Sequence, residues 1–204
     1  SKSWVHNVRT ALEYNINKKN HLNVAYTGSF TPDGHNRSIA DGSFQQSNLD
    51  KFTDNKMNNI TVQYSSGIGL EVGGDYTRYT SDNNQTMFTQ LSDKNKSSYT
   101  LTGGQRIDRY SIYADQKHNL TNNWGIGYGV AYRYAKDYDF QTYNNVTGNI
   151  QTENTEAKLN EQTASFYFSL NKNGTTGTSP SIPYIINITL LATITNGLSI
   201  RKPH

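Results

Sequence analysis

The sequence predicts an all-β chain, an antiparallel up-and-down meander whose strands are built to cross a lipid bilayer. Three observations predict it. Between Trp124 and Tyr134 every even position (Trp124, Ile126, Tyr128, Val130, Tyr132, Tyr134) is aromatic or branched, and every odd one (Gly125, Gly127, Gly129, Ala131, Arg133) is small or charged. Side chains alternate faces along a strand, so this pattern makes one apolar face and one nearly bare face. A tilted strand crosses a bilayer in about 9 to 11 residues, whereas most soluble strands stop at about 5 to 6. Second, no stretch approaches the roughly 20 apolar residues of a spanning helix, an absence that leaves a β-barrel open. Third, short polar turns alternate with long polar stretches along the chain, as expected of brief periplasmic turns and long outer loops.

Composition agrees. The 204 residues are 33% hydrophobic with a mean hydropathy of −0.78, yet include 15 tyrosines. So many aromatics argue against disorder. The balance suits a chain in which only half of each strand is apolar. There is no cysteine, hence no disulfide framework and no thiolate metal site. A net charge of +3, scattered along the chain, gives no reason to expect a nucleic-acid partner. The chain opens on Ser1 without a signal peptide, which reads as a mature or internal piece.

In order, Trp4, His6, Val8, Thr10, Leu12, Tyr14 and Ile16 mark a first alternating strand, turned at Asn17-Lys18-Lys19-Asn20 into a return strand through Leu22, Val24, Tyr26 and Phe30. The stretch 31–56 carries Pro32, Asp33-Gly34 and Asp41-Gly42 turn signals with little periodicity and is expected to be a long outer loop. Ile60, Val62 and Tyr64 make a third strand, reversed at Ser65-Ser66-Gly67 into a fourth through Ile68, Leu70, Val72 and Tyr76. A second outer loop is expected at 81–97. A fifth strand at 105–118 leads through a turn at 119–123 to the strand at Trp124. A third loop is expected at 137–161, before a seventh strand through Ala164, Phe166, Phe168 and Leu170.

Seven strands over 1–173 are too few to close. Single-chain bacterial barrels use even numbers from about 8 upward, and unpaired edges in hydrocarbon are prohibitive. A partial barrel is therefore the expectation. Over 174–204 the alternation collapses, with Ile185 beside Ile186 and Leu190 beside Leu191, and the tail is expected to be atypical, out of frame or truncated.

Arg9, Glu13, Glu71, Asp75, Arg109, Asp115 and Arg133 all fall on the positions opposite the apolar ones. They are expected to face a polar lumen, because a charge facing lipid costs about 2 to 4 kcal/mol at the midplane. The bland alternative is a set of solvated strand faces. Trp4, Phe30, Trp124 and Tyr138 lie near strand ends and are expected in interfacial aromatic girdles. The five histidines lack metal-ligand spacing, Gly125, Gly127 and Gly129 have the wrong context for a nucleotide loop, and no nucleophile stands beside a base. No catalytic residue, metal or cofactor is expected.

The segments Tyr64-Ser65-Ser66-Gly67-Ile68-Gly69-Leu70, Gly74-Asp75-Tyr76-Thr77, Gly104-Gln105-Arg106-Ile107-Asp108-Arg109-Tyr110, Tyr113-Ala114-Asp115-Gln116 and Asn122-Asn123-Trp124 resemble the barrel region of TonB-dependent outer-membrane receptors, specifically the outer-membrane β-barrel family common in Bacteroidetes. The likeness spans Trp4 to Asn173. It implies a plugged barrel of roughly 22 strands in the cell outer membrane that imports a nutrient. The implied partners are outer-membrane lipid, the remainder of the barrel, a plug domain and a TonB-type energising protein. Two alternatives stay open: a small self-contained outer-membrane barrel with a structural or adhesive role, its eighth strand supplied by the tail, and a soluble β-sandwich binding module.

Overall fold

The computed structural model describes the backbone of residues 3–43, 45–91, 95–120, 123–175 and 183–203, with side chains to residue 172 and at Ile194. Short turns set its register. At the first, the Asn17 side chain accepts the Lys19 N–H at 2.9 Å, an Asx turn that folds β1 (His6–Asn17) onto β2 (Asn20–Asp41). The second closes β3 (Gln45–Ser65) onto β4 (Leu70–Leu91). Its Gly69 has a φ of +82°, where a side chain would strain the backbone, and the Ser66 N–H donates to the Leu70 carbonyl at 2.7 Å. The third joins β5 (Lys96–Asn119) to β6 (Trp124–Thr147), sealed by the Leu120 N–H on the Trp124 carbonyl, with Asn123 in the left-handed region that Asn tolerates. Part of that turn, 121–122, lies outside the described residues.

With β7 (Thr155–Thr175) and β8 (Pro183–Pro203) the strands form one eight-stranded antiparallel sheet in chain order. The sheet is open: among the described residues contacts between elements join consecutive strands only, so β1 and β8 do not meet. It is a single layer. No hydrophobic side chain is buried among the described residues, and Val130 and Phe166 are 53% and 50% exposed.

Two expectations differ from what is observed. The stretches 31–56, 81–97 and 137–161 are mostly strand, not loop. β2 runs on to Asp41 and pairs with β3 as far as Gln46, β4 pairs with β5 as far as Gln90 and Lys96, and β6 pairs with β7 as far as Gln141 and Thr155. What remains at that end is 42–44, 92–95 and 148–154, of which 44 and 92–94 are outside the described residues. The reason is that a ladder is made by backbone groups, which Thr, Asn and Gln supply as well as Val does. Alternation appears in a sequence only where the two faces meet different surroundings, and these hairpin tops are mostly polar on both, with apolar residues such as Leu49, Phe52, Met87 and Phe88 scattered over either face. The Pro32-Asp33-Gly34 signal is likewise a bulge within β2, where pairing jumps from Thr31 to Gly34 and Asp33 has a φ of +51°.

Over most of its length the tail is a strand. This β8 pairs with β7 without a register shift, setting Ile188 opposite Leu170, Leu190 opposite Phe168 and Ile194 opposite Ala164. The sheet therefore has one strand more than the seven read from alternation. Residues 176–182 lie outside the described residues.

β5 and β6 are 24 residues each, so each is roughly 80 Å long at about 3.3 Å per residue. The stretch of β6 with clean alternation from Ile126 to Tyr134 covers only about 30 Å of that. The rest is hairpin standing beyond the alternating zone. Hydrogen exchange tests this directly: amides at 46–53 and 84–90 should exchange about 100-fold or more slowly than those at 148–154, as ladder amides do relative to loops. Equal rates would return these segments to the loop description.

Candidate functional site: two faces of one sheet

Residues directly opposite in an antiparallel ladder share a face, so the register assigns each side chain. One chain of partners runs Arg9–Thr27–Asn59–Thr77–Arg109–Ala135–Glu161 from β1 to β7. Further chains place Glu13 opposite Asn23, Asp75 opposite Ser111, Ser111 opposite Arg133, and Glu71 opposite Asp115. All seven residues singled out from the sequence, Arg9, Glu13, Glu71, Asp75, Arg109, Asp115 and Arg133, thus lie on one face, together with Lys117 and Glu161.

Their side chains are tied to one another across the strands. Ser111 Oγ donates to Asp75, Gln63 Nε2 to Glu71 at 2.9 Å, and the Tyr113 hydroxyl to the same Glu71 carboxylate at 3.1 Å. A cleft of about 370 Å³ opens among Asp75, Arg109, Ser111, Arg133, Glu161 and Thr163. Two carboxylates and two guanidiniums on its walls suit a polar or zwitterionic group, each charge having an opposite one within the same depression. Among the described residues no three His, Asp or Glu side chains gather as a metal site.

The glycines of this face are covered by their neighbours. A Cβ on Gly73 would lie 2.6 Å from the Tyr113 ring, and one on Gly129 would lie within contact of Tyr167 and Asp115. Tyr113 is the register partner of Gly73, and Tyr167 of Gly129. Each ring lies across the bare backbone beside it, which makes the small residue a requirement of packing.

The opposite face is apolar. One chain of partners reads Tyr14–Leu22–Tyr64–Val72–Ala114–Val130–Phe166, and the next Leu12–Val24–Val62–Gly74–Ile112–Tyr132–Ala164. Across 8–16, 20–30, 58–64, 70–76, 110–118, 126–134 and 162–170 this face holds no Asp, Glu, Lys or Arg. The lower edge of the apolar zone falls at Leu22 on β2, Leu70 on β4 and Ile126 on β6. Leu22 shares a row with Val130, so the edge has moved four residues toward the turns by β6. Such a progressive stagger is what tilted strands produce.

The four aromatics named from sequence take different places. Phe30 and Tyr138 share one row on the apolar side, through Lys56, Thr80 and Arg106. That row lies four residues beyond Tyr26 and Tyr134, among cations. Trp124 sits at the turn end with Lys172 Nζ 5.0 Å from its ring centroid, and Trp4 precedes β1, 74% exposed. Sequence reading missed the better-aligned row: Tyr26, Ile60, Tyr76, Tyr110 and Tyr134 are successive partners. The rings of Tyr76 and Tyr110 stack at 4.7 Å and those of Tyr110 and Tyr134 lie at 6.3 Å. Their hydroxyls point away from the apolar zone: Tyr26 donates to Asn58 at 2.7 Å, Tyr76 to Asp108 at 2.6 Å and Tyr134 to Asn160 at 3.5 Å. Counting outward from the third turn would have found part of it, because Tyr110 and Tyr134 are equidistant from 122.

Packing of ring on glycine gives a measurable expectation. Gly73→Val should destabilise the refolded protein by about 1 to 3 kcal/mol through overpacking against Tyr113. The same change in a Tyr113→Ala background should cost less than half as much, read from denaturant midpoints; additive losses would mean that the ring does not set the constraint.

No protein-family model, no curated protein and no solved structure matches this chain.

Proposed function

We propose that this chain is part of the wall of an outer-membrane β-barrel belonging to a TonB-dependent receptor that takes up a nutrient. The observation that carries the membrane part is the asymmetry of charge. One face has no formal charge across the alternating zone, whereas the other carries Arg9, Glu13, Glu71, Asp75, Asp115, Lys117 and Arg133 over the same length, with Arg109 and Glu161 at its upper edge. A sheet with water on both sides has no reason to sort its charges so, but one between hydrocarbon and a wet interior does. The tyrosine row at the edge of the apolar zone, with hydroxyls directed outward from it, is the arrangement expected at a lipid headgroup boundary.

The receptor assignment rests on the resemblance of the motifs around Tyr64, Gly104 and Trp124, and the open sheet supports it. Two unpaired edges in a bilayer need further strands beside β1 and β8, which a large barrel supplies. In that setting the charged face lines the lumen, its cleft at Asp75, Arg109 and Arg133 meets the plug domain or solute, and the long hairpins stand on the outer side. A TonB-type protein energises transport through the plug, and the wall performs no catalysis. A second reading is favoured by one observation: eight strands is the smallest number used by single-chain bacterial barrels, so a small self-contained barrel with a structural or adhesive role would need only β1 to meet β8. The single layer leaves no second sheet for a β-sandwich.

Because the chain has no cysteine, single cysteines report each face cleanly. In protein reconstituted in vesicles, Ile112→Cys and Val130→Cys should resist water-soluble thiol reagents and react with lipid-soluble ones, and Ser111→Cys and Arg133→Cys should show the reverse. Equal labelling by the aqueous reagent at all four positions, in protein that floats with the vesicles, would overturn the membrane assignment. Energetically, Val130→Arg should impair insertion by about 2 to 4 kcal/mol, while Ala131→Arg, one residue along on the other face, should cost much less.

A further inference from the structure

Charge returns to the apolar side abruptly beyond the tyrosine row. The next row holds Asn58, Arg78, Asp108, Lys136 and Asn160, and the one after it Lys56, Arg106, Tyr138 and Lys158. Some of these cations are already matched: Arg78 Nε lies 3.9 Å from Asp108, Lys56 Nζ 3.0 Å from Asp54, and Lys158 contacts Glu156. Among the described residues no ion pair joins Arg106 or Lys136 to a carboxylate. Arg78 and Lys136 flank Asp108 on neighbouring strands, and Arg106 lies two residues along from it; the row beyond holds Asp54, Asp82 and Glu156, of which Asp54 and Glu156 are matched by Lys56 and Lys158, so across these rows five cations face four carboxylates and a small positive excess remains at Arg106 and Lys136.

Directly below, toward the turns on the same strands, the apolar face has an open depression of about 660 Å³ whose lining includes Val72, Ile112, Val130, Tyr132 and Phe166. The stacked rings of Tyr76, Tyr110 and Tyr134 lie between the cations and the depression. Anionic headgroup contacts at one end and an apolar trough about four residues away are the two halves of an amphiphile site.

Building on the membrane reading above, we propose that this patch binds a phosphate-bearing membrane lipid. Its phosphate is held by Arg106, Lys136 and Arg78, and its acyl chain crosses the tyrosine rings into the depression at Ile112 and Val130. Arg suits a phosphate because its planar fork can donate two parallel hydrogen bonds, and cations beside a bilayer attract anionic headgroups.

The full chain, reconstituted in phosphatidylcholine vesicles, is probed with trace spin-labelled phosphatidic acid or spin-labelled phosphatidylcholine, and the motionally restricted fraction of each label is measured. The wild-type protein should retain phosphatidic acid in preference, and the Arg106→Gln/Lys136→Gln variant should lower that preference by roughly fivefold or more, the effect of losing surface cations. Lys172→Gln, at the turn end, should leave it unchanged. Equal restriction of both labels, or displacement of the labelled phosphatidic acid by millimolar inorganic phosphate, would overturn the lipid site while leaving the membrane reading intact. In protein that the cysteine labels above show to be inserted, absence of any restricted component would overturn the lipid site.

Discussion

The constraint on which everything else depends is register. A strand has a side-chain period of two, so slipping any one ladder by a single residue would carry the whole apolar set of that strand to the charged face. Three short turns fix the pairing at one end, and rings lying over glycines fix it between strands. Tyr113 fits over Gly73 only in the observed alignment, and Tyr167 over Gly129 only in its own. The two-faced character of the sheet is thus maintained by backbone pairing and by a few size-matched contacts, without a buried core.

The lack of a buried hydrophobic side chain among the described residues shapes how the stability of the fold is understood. A soluble domain of this size hides apolar side chains between layers, whereas here Ile112, Val130 and Phe166 remain largely uncovered by protein. In the proposed setting lipid tails take the place of the second layer, and the ladder hydrogen bonds gain importance because no water competes for them. The charged face has its own network, Ser111 to Asp75 and both Tyr113 and Gln63 to Glu71, which pairs polar atoms with each other on a surface where a plug or solute would sit.

The boundary between the two regimes is drawn by tyrosine. Tyr26, Tyr76 and Tyr134 put their rings against the apolar zone and their hydroxyls on the first polar row, so each satisfies both surroundings at once. Beyond them the hairpins continue as ladders with polar residues on both faces. There His35 stacks on Phe52 at 4.5 Å and contacts Asp50 at 3.1 Å, and Tyr99 meets Tyr143 edge-on at 5.4 Å. Such cross-strand pairs keep the tall hairpins ordered where no apolar face exists to do so.

Strand existence, direction and the two-face division of charge were legible from the sequence, because alternation from Trp124 to Tyr134 and its counterparts directly records which side of the strand meets an apolar surrounding. The short turns were legible too, since Asn17 and Asn123 are there for backbone reasons that residue type reveals, although the second turn runs on to Gly69, beyond the Ser65-Ser66-Gly67 read from the sequence. The hairpin tops were not, because a polar strand in polar surroundings leaves no periodicity. β8 was not, because its adjacent apolar pairs hide the alternation until pairing with Leu170 and Phe168 supplies the frame. Nor was the tyrosine row, whose members lie on separate strands and become neighbours only through register. Sequence determined what each strand would be; tertiary pairing decided which residues of different strands stand side by side, because that depends on the sum of turn lengths and bulges along the chain.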